Sequence, residues 1–231
     1  MLAAAARACR PSPRRIALRR AHTAAARPTC VLFDLGGVIL DSPFDGIAAF
    51  EAEAGLAPGA AGALLARSRS FARLERGELS VGEWTTAFEA EAAGAGHAGL
   101  SAGDLMARIT AALRERPQFL GAVANLRARG LRVGAVTNNW RVPGDEAFVA
   151  GLYAHFETVV ESCELGVAKP DPAIYLEACR RLDTAPASCV FLDDIGRNCK
   201  AAAKLGMAAI RVRDPEAALG ELGELLDLDL A

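Results

Sequence analysis

Five short apolar runs occur along the chain, and most of them are flanked by glycine, proline or charged residues. They span residues 30–33, 131–136, 158–160, 189–192 and 207–212. Apolar runs of this length are typical of β-strands that are buried on both faces of a sheet. We therefore predict a sheet of buried strands at the centre of the fold.

Segments with helical spacing of their apolar residues separate the later runs. We predict helices near residues 117–129, 173–182, 197–205 and 215–226. Strands that alternate with helices predict an α/β fold, in which a doubly wound parallel sheet carries helices on both faces in a Rossmann-like arrangement.

Residues 44–116 interrupt this alternation with a stretch rich in alanine, glutamate and arginine. Apolar residues recur there at helical spacing, as at Trp84 and Phe88, so we predict a helical insert with Trp84 in its core. The α/β core would then comprise residues 30–43 and 117–231.

The first 29 residues contain seven arginines and no acidic residue. This composition favours a disordered transit peptide, because the segment also lacks the apolar stretch of a secretory signal. We predict a mitochondrial protein. A compositionally biased tail or an upstream start codon would explain the same residues, and cytoplasmic or plastid locations stay open.

The rest of the composition suits a protein that acts on a small molecule. The chain is 52% hydrophobic and 23% charged, with a net charge of −2. Because the body is acidic and no other stretch is long and apolar enough for a membrane span, we expect neither nucleic acid nor a membrane as partner. The six cysteines lack paired spacing, which favours free thiols in a reducing compartment. The oligomeric state stays open.

Polar residues follow three of the predicted strands. Asp34 follows the first strand, Thr137 the second, and Asp193 and Asp194 follow the run at 189–192. Ligands of open α/β sheets bind at the carboxyl ends of the strands, so we expect these residues to share one site.

Four motifs occur in an order that resembles the haloacid dehalogenase superfamily. They are residues 33–38 (FDLGGV), 136–139 (VTNN), 169–170 (KP) and 191–194 (FLDD). Further residues, including 159–163 (VVESC), look like the phosphatase-type amino-terminal domains of soluble epoxide hydrolase and of acyl-CoA dehydrogenase family member ten. The similarity covers residues 30–231.

This resemblance implies phosphoryl transfer through a covalent aspartyl-phosphate. Asp34 would be the nucleophile, and Lys169 would supply a positive charge to the phosphoryl group. Thr137 and Asn138 would bind phosphate oxygens. The substrate would be a small phosphorylated molecule, which the sequence does not name.

The resemblance also implies a Mg²⁺ site. Asp34 and Asp194 would bind the ion directly, Gly36 through its backbone carbonyl, and Asp193 through water. Two adjacent acids repel one another unless a cation lies close by, and oxygen ligands suit Mg²⁺. Haloacid dehalogenases themselves lack the paired acids, so Asp193 and Asp194 argue against dehalogenation.

The sequence departs from the superfamily at Gly36, where most phosphatases of this kind have an aspartate that acts as general acid and base. That assistance is worth about 10²- to 10⁴-fold in rate. Two interpretations therefore stay open: a slow Mg²⁺-dependent phosphatase, and a non-catalytic domain that binds a phosphorylated ligand or acts as a scaffold.

Overall fold

A five-stranded parallel sheet forms the centre of the computed structural model, which describes residues 27–230. The strand order is β3-β2-β1-β4-β5, and every neighbouring pair is parallel. The predicted α/β fold with a doubly wound parallel sheet is confirmed. The strands are β1 (Cys30–Phe33), β2 (Arg132–Thr137), β3 (Thr158–Glu161), β4 (Cys189–Asp193) and β5 (Ala208–Arg211).

Strand β1 is central and entirely buried, and its side chains alternate between two apolar clusters. Val31 and Phe33 face one cluster, whereas Cys30 and Leu32 face the other. A parallel sheet has helices on both faces, so its inner strands need apolar residues at every position. This is why β1 shows a continuous apolar run.

The first five of the six helices between β1 and β2 build a third apolar cluster of their own. Trp84 is fully buried in that cluster and stacks on Phe88, as predicted. Serines start several of these helices, and Ser80 forms a capping box with Glu83. The helices are α1 (Pro43–Glu53), α2 (Ala60–Arg67), α3 (Arg69–Leu74), α4 (Val81–Gly94) and α5 (Ala102–Ala112).

The chain segments that enter and leave this insert lie side by side next to the Asp34 loop. Leu40 forms an antiparallel bridge with Glu115, and the Arg116 N–H donates to the Ile39 carbonyl at 2.8 Å. The chain therefore enters and leaves the insert at the same place on the core. Its predicted boundaries at residues 44 and 116 stay a prediction.

Six helices belong to the remainder of residues 27–230, and two of them, α7 and α8, have no counterpart in the sequence prediction. Helix α7 buries only Leu152, so it lacks the periodic apolar face that a sequence pattern can reveal. Helix α8 is a single turn. The helices are α6 (Pro117–Ala128), α7 (Glu146–Tyr153), α8 (Ser162–Leu165), α9 (Pro172–Arg181), α10 (Gly196–Lys204) and α11 (Pro215–Leu226), with a 3₁₀ turn at Pro186–Ser188.

The structure tests the predictions about cysteines and membrane spans only for the described residues. The five cysteines among residues 27–230 are all free thiols, and four of them are buried. Within the same range, no helix combines the length and the apolar character needed to cross a bilayer. The predicted transit peptide and Cys9 lie outside the described residues, apart from the last few positions of the leader.

Candidate active site

Asp34 lies at the centre of the carboxyl edge of the sheet. Its backbone N–H donates to the Leu192 carbonyl at 2.8 Å, which continues the pairing of β1 with β4 by one residue. The Leu35 N–H donates to Asp34 Oδ1 at 2.7 Å. Because the strand order reverses between β1 and β4, the loops after these strands diverge and leave a crevice there. Asp34 faces this crevice and is 6% exposed.

Lys169 joins Asp34 to Asp193. Its Nζ lies 2.7 Å from Asp34 Oδ1 and 2.8 Å from Asp193 Oδ2. Burial by itself lowers the pKa of Lys169, but the two carboxylates outweigh burial and raise it above the ordinary value. Lys169 is therefore a fixed positive charge between two buried acids.

Asp193 is held by more partners than the sequence suggests. The Ile195 N–H donates to Asp193 Oδ1 at 2.7 Å, and the Asn198 amide lies 3.1 and 3.0 Å from its two oxygens. Asp193 is completely buried and Asn198 is nearly so. These bonds fix the Asp193 carboxylate in the orientation that binds Lys169.

Asp194 completes a cluster of three carboxylates. One oxygen each from Asp34, Asp193 and Asp194 lies within 4.8 Å of the other two. Burial and the neighbouring Asp193 raise the pKa of Asp194 to about 6. Burial likewise raises the pKa of Asp34 well above its usual range, although Lys169 opposes this. The three acids share one lysine, so the cluster carries excess negative charge.

Two adjacent glycines in the loop after Asp34 have different surroundings. Gly37 adopts a left-handed conformation with φ of +77°, and a Cβ there would overlap the Asp194 carboxyl group. A Cβ at Gly36 would meet only Pro43, at 3.4 and 3.7 Å, which is ordinary contact. Packing therefore requires glycine at position 37 and permits a side chain at position 36.

Thr137 and Asn138 lie at the end of β2, beside Lys169. Thr137 is 4% exposed. The Asn138 side chain exchanges two hydrogen bonds with the Lys169 backbone, accepting from its N–H at 2.8 Å and donating to its carbonyl at 3.1 Å. The Asn138 amide thus positions Lys169, and its backbone lies in the loop that was predicted to bind phosphate.

Sequence reasoning assigned no role to Ser162, which joins this loop to the insert. The fully buried Ser162 hydroxyl accepts from the Asn139 N–H at 3.0 Å and donates to the Glu75 carbonyl at 2.5 Å. Glu75 lies 87 positions earlier in the chain, so no local pattern could reveal this contact. The sequence likewise assigned no role to Asn198, the partner of Asp193.

The geometry and the motifs together define the class of protein. Residues 28–206 match the family described as haloacid dehalogenase-like hydrolase. The chain therefore belongs to the haloacid dehalogenase-like hydrolases, as the four motifs predicted.

Known proteins of several kinds are similar to the chain. Acyl-CoA dehydrogenase family member 10 of Mus musculus is 31% identical over 218 residues, which cover 92% of this chain and 20% of that protein. Bifunctional epoxide hydrolase 2 of Rattus norvegicus is 33% identical over 162 residues, covering 65% of this chain and 29% of the relative. The chain thus spans less than a third of either relative, and both resemblances predicted from the sequence are confirmed.

A shorter relative is named as a phosphatase. Glyceraldehyde 3-phosphate phosphatase of Methanopyrus kandleri is 35% identical over 103 residues, 44% of each chain. Among solved structures, a haloacid dehalogenase-family enzyme of Bacteroides thetaiotaomicron, in complex with magnesium and inorganic phosphate, superposes with a TM-score of 0.59 at 19% identity. It covers 80% of this chain and 94% of its own. At this identity the likeness shows the fold alone.

Proposed function

We propose that this hydrolase is a Mg²⁺-dependent phosphatase of a small phosphorylated molecule and that Asp34 forms the covalent aspartyl-phosphate. The observation that carries the proposal is the pairing of Asp34 Oδ1 with Lys169 Nζ at 2.7 Å beside a three-carboxylate cluster. The phosphatase name of the archaeal relative supports the same reaction class.

Asp34 has the surroundings that a nucleophile of this kind requires. Lys169 and the Leu35 N–H bind the same oxygen, so the carboxylate is held in one orientation. In the first step an Asp34 oxygen bonds to phosphorus as the bond to the leaving oxygen breaks. In the second step water attacks phosphorus and frees Asp34 and inorganic phosphate. Splitting one displacement into two lowers the barrier to each.

Lys169 and Thr137 would bind the phosphoryl oxygens during both steps. Lys169 stays charged because two carboxylates hold its proton, so it can stabilise negative charge as that charge spreads over the oxygens. Thr137 is the last residue of β2, and Asn138 begins the loop that follows it. The position of these two residues at the carboxyl end of β2, next to Lys169, supports a role in phosphate binding.

The residues present fit Mg²⁺. Three carboxylates with one lysine leave negative charge that burial penalises, and all donors are oxygens, which Mg²⁺ prefers. Asp34, the Gly36 carbonyl and Asp194 would hold the ion directly. Asp193 would act through water, because Lys169, Asn198 and the Ile195 N–H already bind its oxygens. When bound, the ion would neutralise charge between the phosphoryl group and the carboxylates.

Hydrolysis of a panel of phosphorylated metabolites tests this proposal. Purified full-length protein should release phosphate from at least one of them with Mg²⁺ and not with EDTA. Asp34→Asn should reduce release by at least about 10³-fold, because an amide is a poor nucleophile. The Asn side chain keeps the size of Asp34, so circular dichroism should show an unchanged fold.

A second candidate is a non-catalytic domain that binds a phosphorylated ligand, which Gly36 favours because the usual proton carrier is absent. Phosphate-ester binding by calorimetry, with no hydrolysis of any ester by the wild-type protein, would replace the phosphatase proposal with this one. Turnover by Asp34→Asn at the wild-type rate would remove Asp34 from the mechanism.

We also propose that residues 1–29 direct import into mitochondria and that residues 44–116 form a cap that closes over the site. Seven arginines without an acid support the first proposal. The separate apolar cluster of the insert and the adjacent entry and exit of its chain support the second. Cap residues would then select the substrate.

A further inference from the structure

One acidic residue of the insert, Glu75, lies beside the loop that follows β2. Glu75 follows α3, and Ser162 binds its carbonyl at 2.5 Å while accepting a hydrogen bond from the Asn139 N–H at 3.0 Å. One buried hydroxyl thus joins the backbone of Glu75 to the loop that follows β2. The position of Glu75 is fixed relative to that loop.

Two further contacts hold the turn around Glu75 against the core. Gly77 has φ of +68° and approaches the Cys163 carbonyl so closely that a Cβ would overlap it. The rings of Phe71 and Trp140 meet edge to face, with centroids 5.5 Å apart. The turn is therefore seated directly on the core.

The Glu75 carboxyl group lies among residues that belong to the site. The Asn138 amide and the positive charges of Arg197, Lys169 and Arg76 all act to lower its pKa. All four favour the carboxylate form. Burial outweighs them, and the pKa of Glu75 lies above its ordinary value. Glu75 therefore retains a proton more readily than an exposed glutamate does.

Substrate would strengthen that tendency. Lys169 pairs with Asp34 and also acts on Glu75, so a phosphoryl group bound at Lys169 would bring negative charge close to the Glu75 carboxyl. Like charges disfavour ionisation, which keeps the proton on the acid until the reaction draws it away. At position 36, where the superfamily has its proton carrier, this chain offers no side chain at all.

We propose that Glu75 is the general acid and base of this enzyme and replaces the aspartate that is missing at Gly36. This inference rests on the proposed phosphatase function. In the first step the Asp34–phosphorus bond forms, the ester P–O bond breaks, and the Glu75 proton passes to the leaving oxygen to give an alcohol. In the second step Glu75 takes a proton from the attacking water as its oxygen bonds to phosphorus. The Asp34–phosphorus bond then breaks, which restores both acids.

Leaving-group dependence tests the role of Glu75. The substrates are alkyl, phenyl and 4-nitrophenyl phosphates, assayed with Mg²⁺ for wild type and Glu75→Gln. We expect Glu75→Gln to lower kcat for the alkyl ester by about 10²-fold and for 4-nitrophenyl phosphate by less than about 3-fold, because an acidic phenol departs without a proton donor. The basic limb of the kcat/KM profile against pH, which reports the free acid, should disappear.

Three further variants control the experiment. Glu78→Gln removes an exposed acid from the same turn, where it pairs with Arg73 and Arg76, and should keep wild-type kinetics. Glu75→Asp keeps a carboxyl group and should retain part of the alkyl-ester activity. Gly36→Asp in the Glu75→Gln background should restore alkyl-ester hydrolysis by about 10-fold or more, since packing permits a side chain at position 36.

Each result supports or overturns the role of Glu75. Equal loss for all three esters in Glu75→Gln, or no loss for any, would overturn it. So would a pH profile that keeps its basic limb. These outcomes differ from failure of the proposed function, in which wild type itself hydrolyses no ester or Asp34→Asn stays fully active.

Discussion

Alanine at the adjacent positions 36 and 37 should have opposite consequences for stability and metal binding. Gly37 has φ of +77°, and a Cβ there would overlap the carboxyl group of Asp194. Forcing a residue with a side chain into such a conformation costs about 1–3 kcal/mol. We expect Gly37→Ala to lower the free energy of unfolding by about that amount, which for a domain of this size lowers Tm by about 2–12 °C.

Gly36 is the matched control. Its backbone is not left-handed, and a Cβ would lie 3.4 Å from Pro43 Cδ, with no contact to Asp194. Where the backbone suits alanine, replacing glycine stabilises a protein by about 0.4–1 kcal/mol, because the unfolded chain loses freedom. We expect Gly36→Ala to leave stability within about 1 kcal/mol of wild type.

Two measurements separate the variants. Thermal unfolding with EDTA reports the backbone strain without metal, and calorimetric titration with Mg²⁺ reports the position of Asp194. Gly37→Ala should bind Mg²⁺ at least about 10-fold more weakly, which corresponds to about 1.4 kcal/mol, and Gly36→Ala should bind it normally. Wild-type Mg²⁺ affinity in Gly37→Ala would show that Asp194 is not a ligand, and equal destabilisation by both alanines would refute the conformational reasoning.

Two other predictions concern pH and the leader. Burial and Asp193 raise the pKa of Asp194 from 3.8 to about 6, so without metal the folded protein binds a proton that the unfolded chain releases between these values. Metal-free stability should therefore fall as pH rises through that window, while Mg²⁺ affinity should rise. Urea unfolding and calorimetry check the two trends, and Asp194→Asn should reduce the slope of metal-free stability against pH. Residues 1–35 fused to a fluorescent protein should direct it to mitochondria, and a purely cytosolic signal would contradict the transit-peptide prediction.

The sequence predicts the sheet well because a strand that is buried on both faces appears in the sequence as a continuous apolar run. Residues 30–33 must be apolar at every position, and the acids that follow the runs at 30–33 and 189–192 mark the carboxyl ends of those strands. Because β1 and β4 are parallel neighbours, their carboxyl ends lie at the same edge of the sheet, and this alone places Asp34 near Asp193. The terminal helix, Pro215–Leu226, also begins and ends where the proline and the apolar spacing predict.

The parts of the site that the sequence does not predict depend on contacts between distant segments. Ser162 and Glu75 lie in different structural units, and only the seating of the insert on the core brings them together. Asn198 supports Asp193 from the first turn of α10, a role that depends on the angle between that helix and β4. The spacing of apolar residues along a helix does not predict these contacts or angles.

The depth at which a residue is buried decides whether its substitution can test the mechanism. Lys169 is enclosed between Asp34 and Asp193, and its removal would leave two buried carboxylates without a partner, a loss that costs about 3–5 kcal/mol when a buried pair is broken. A Lys169 variant therefore alters folding and catalysis together, and its inactivity would not identify a catalytic role. Glu75 and Gly36 are only half-buried, so a neutral side chain at position 75 or an added carboxyl group at position 36 should disturb little packing. Substitutions at these two positions can change proton transfer while the buried pairs stay intact, so they test the chemistry more directly than the central charges do.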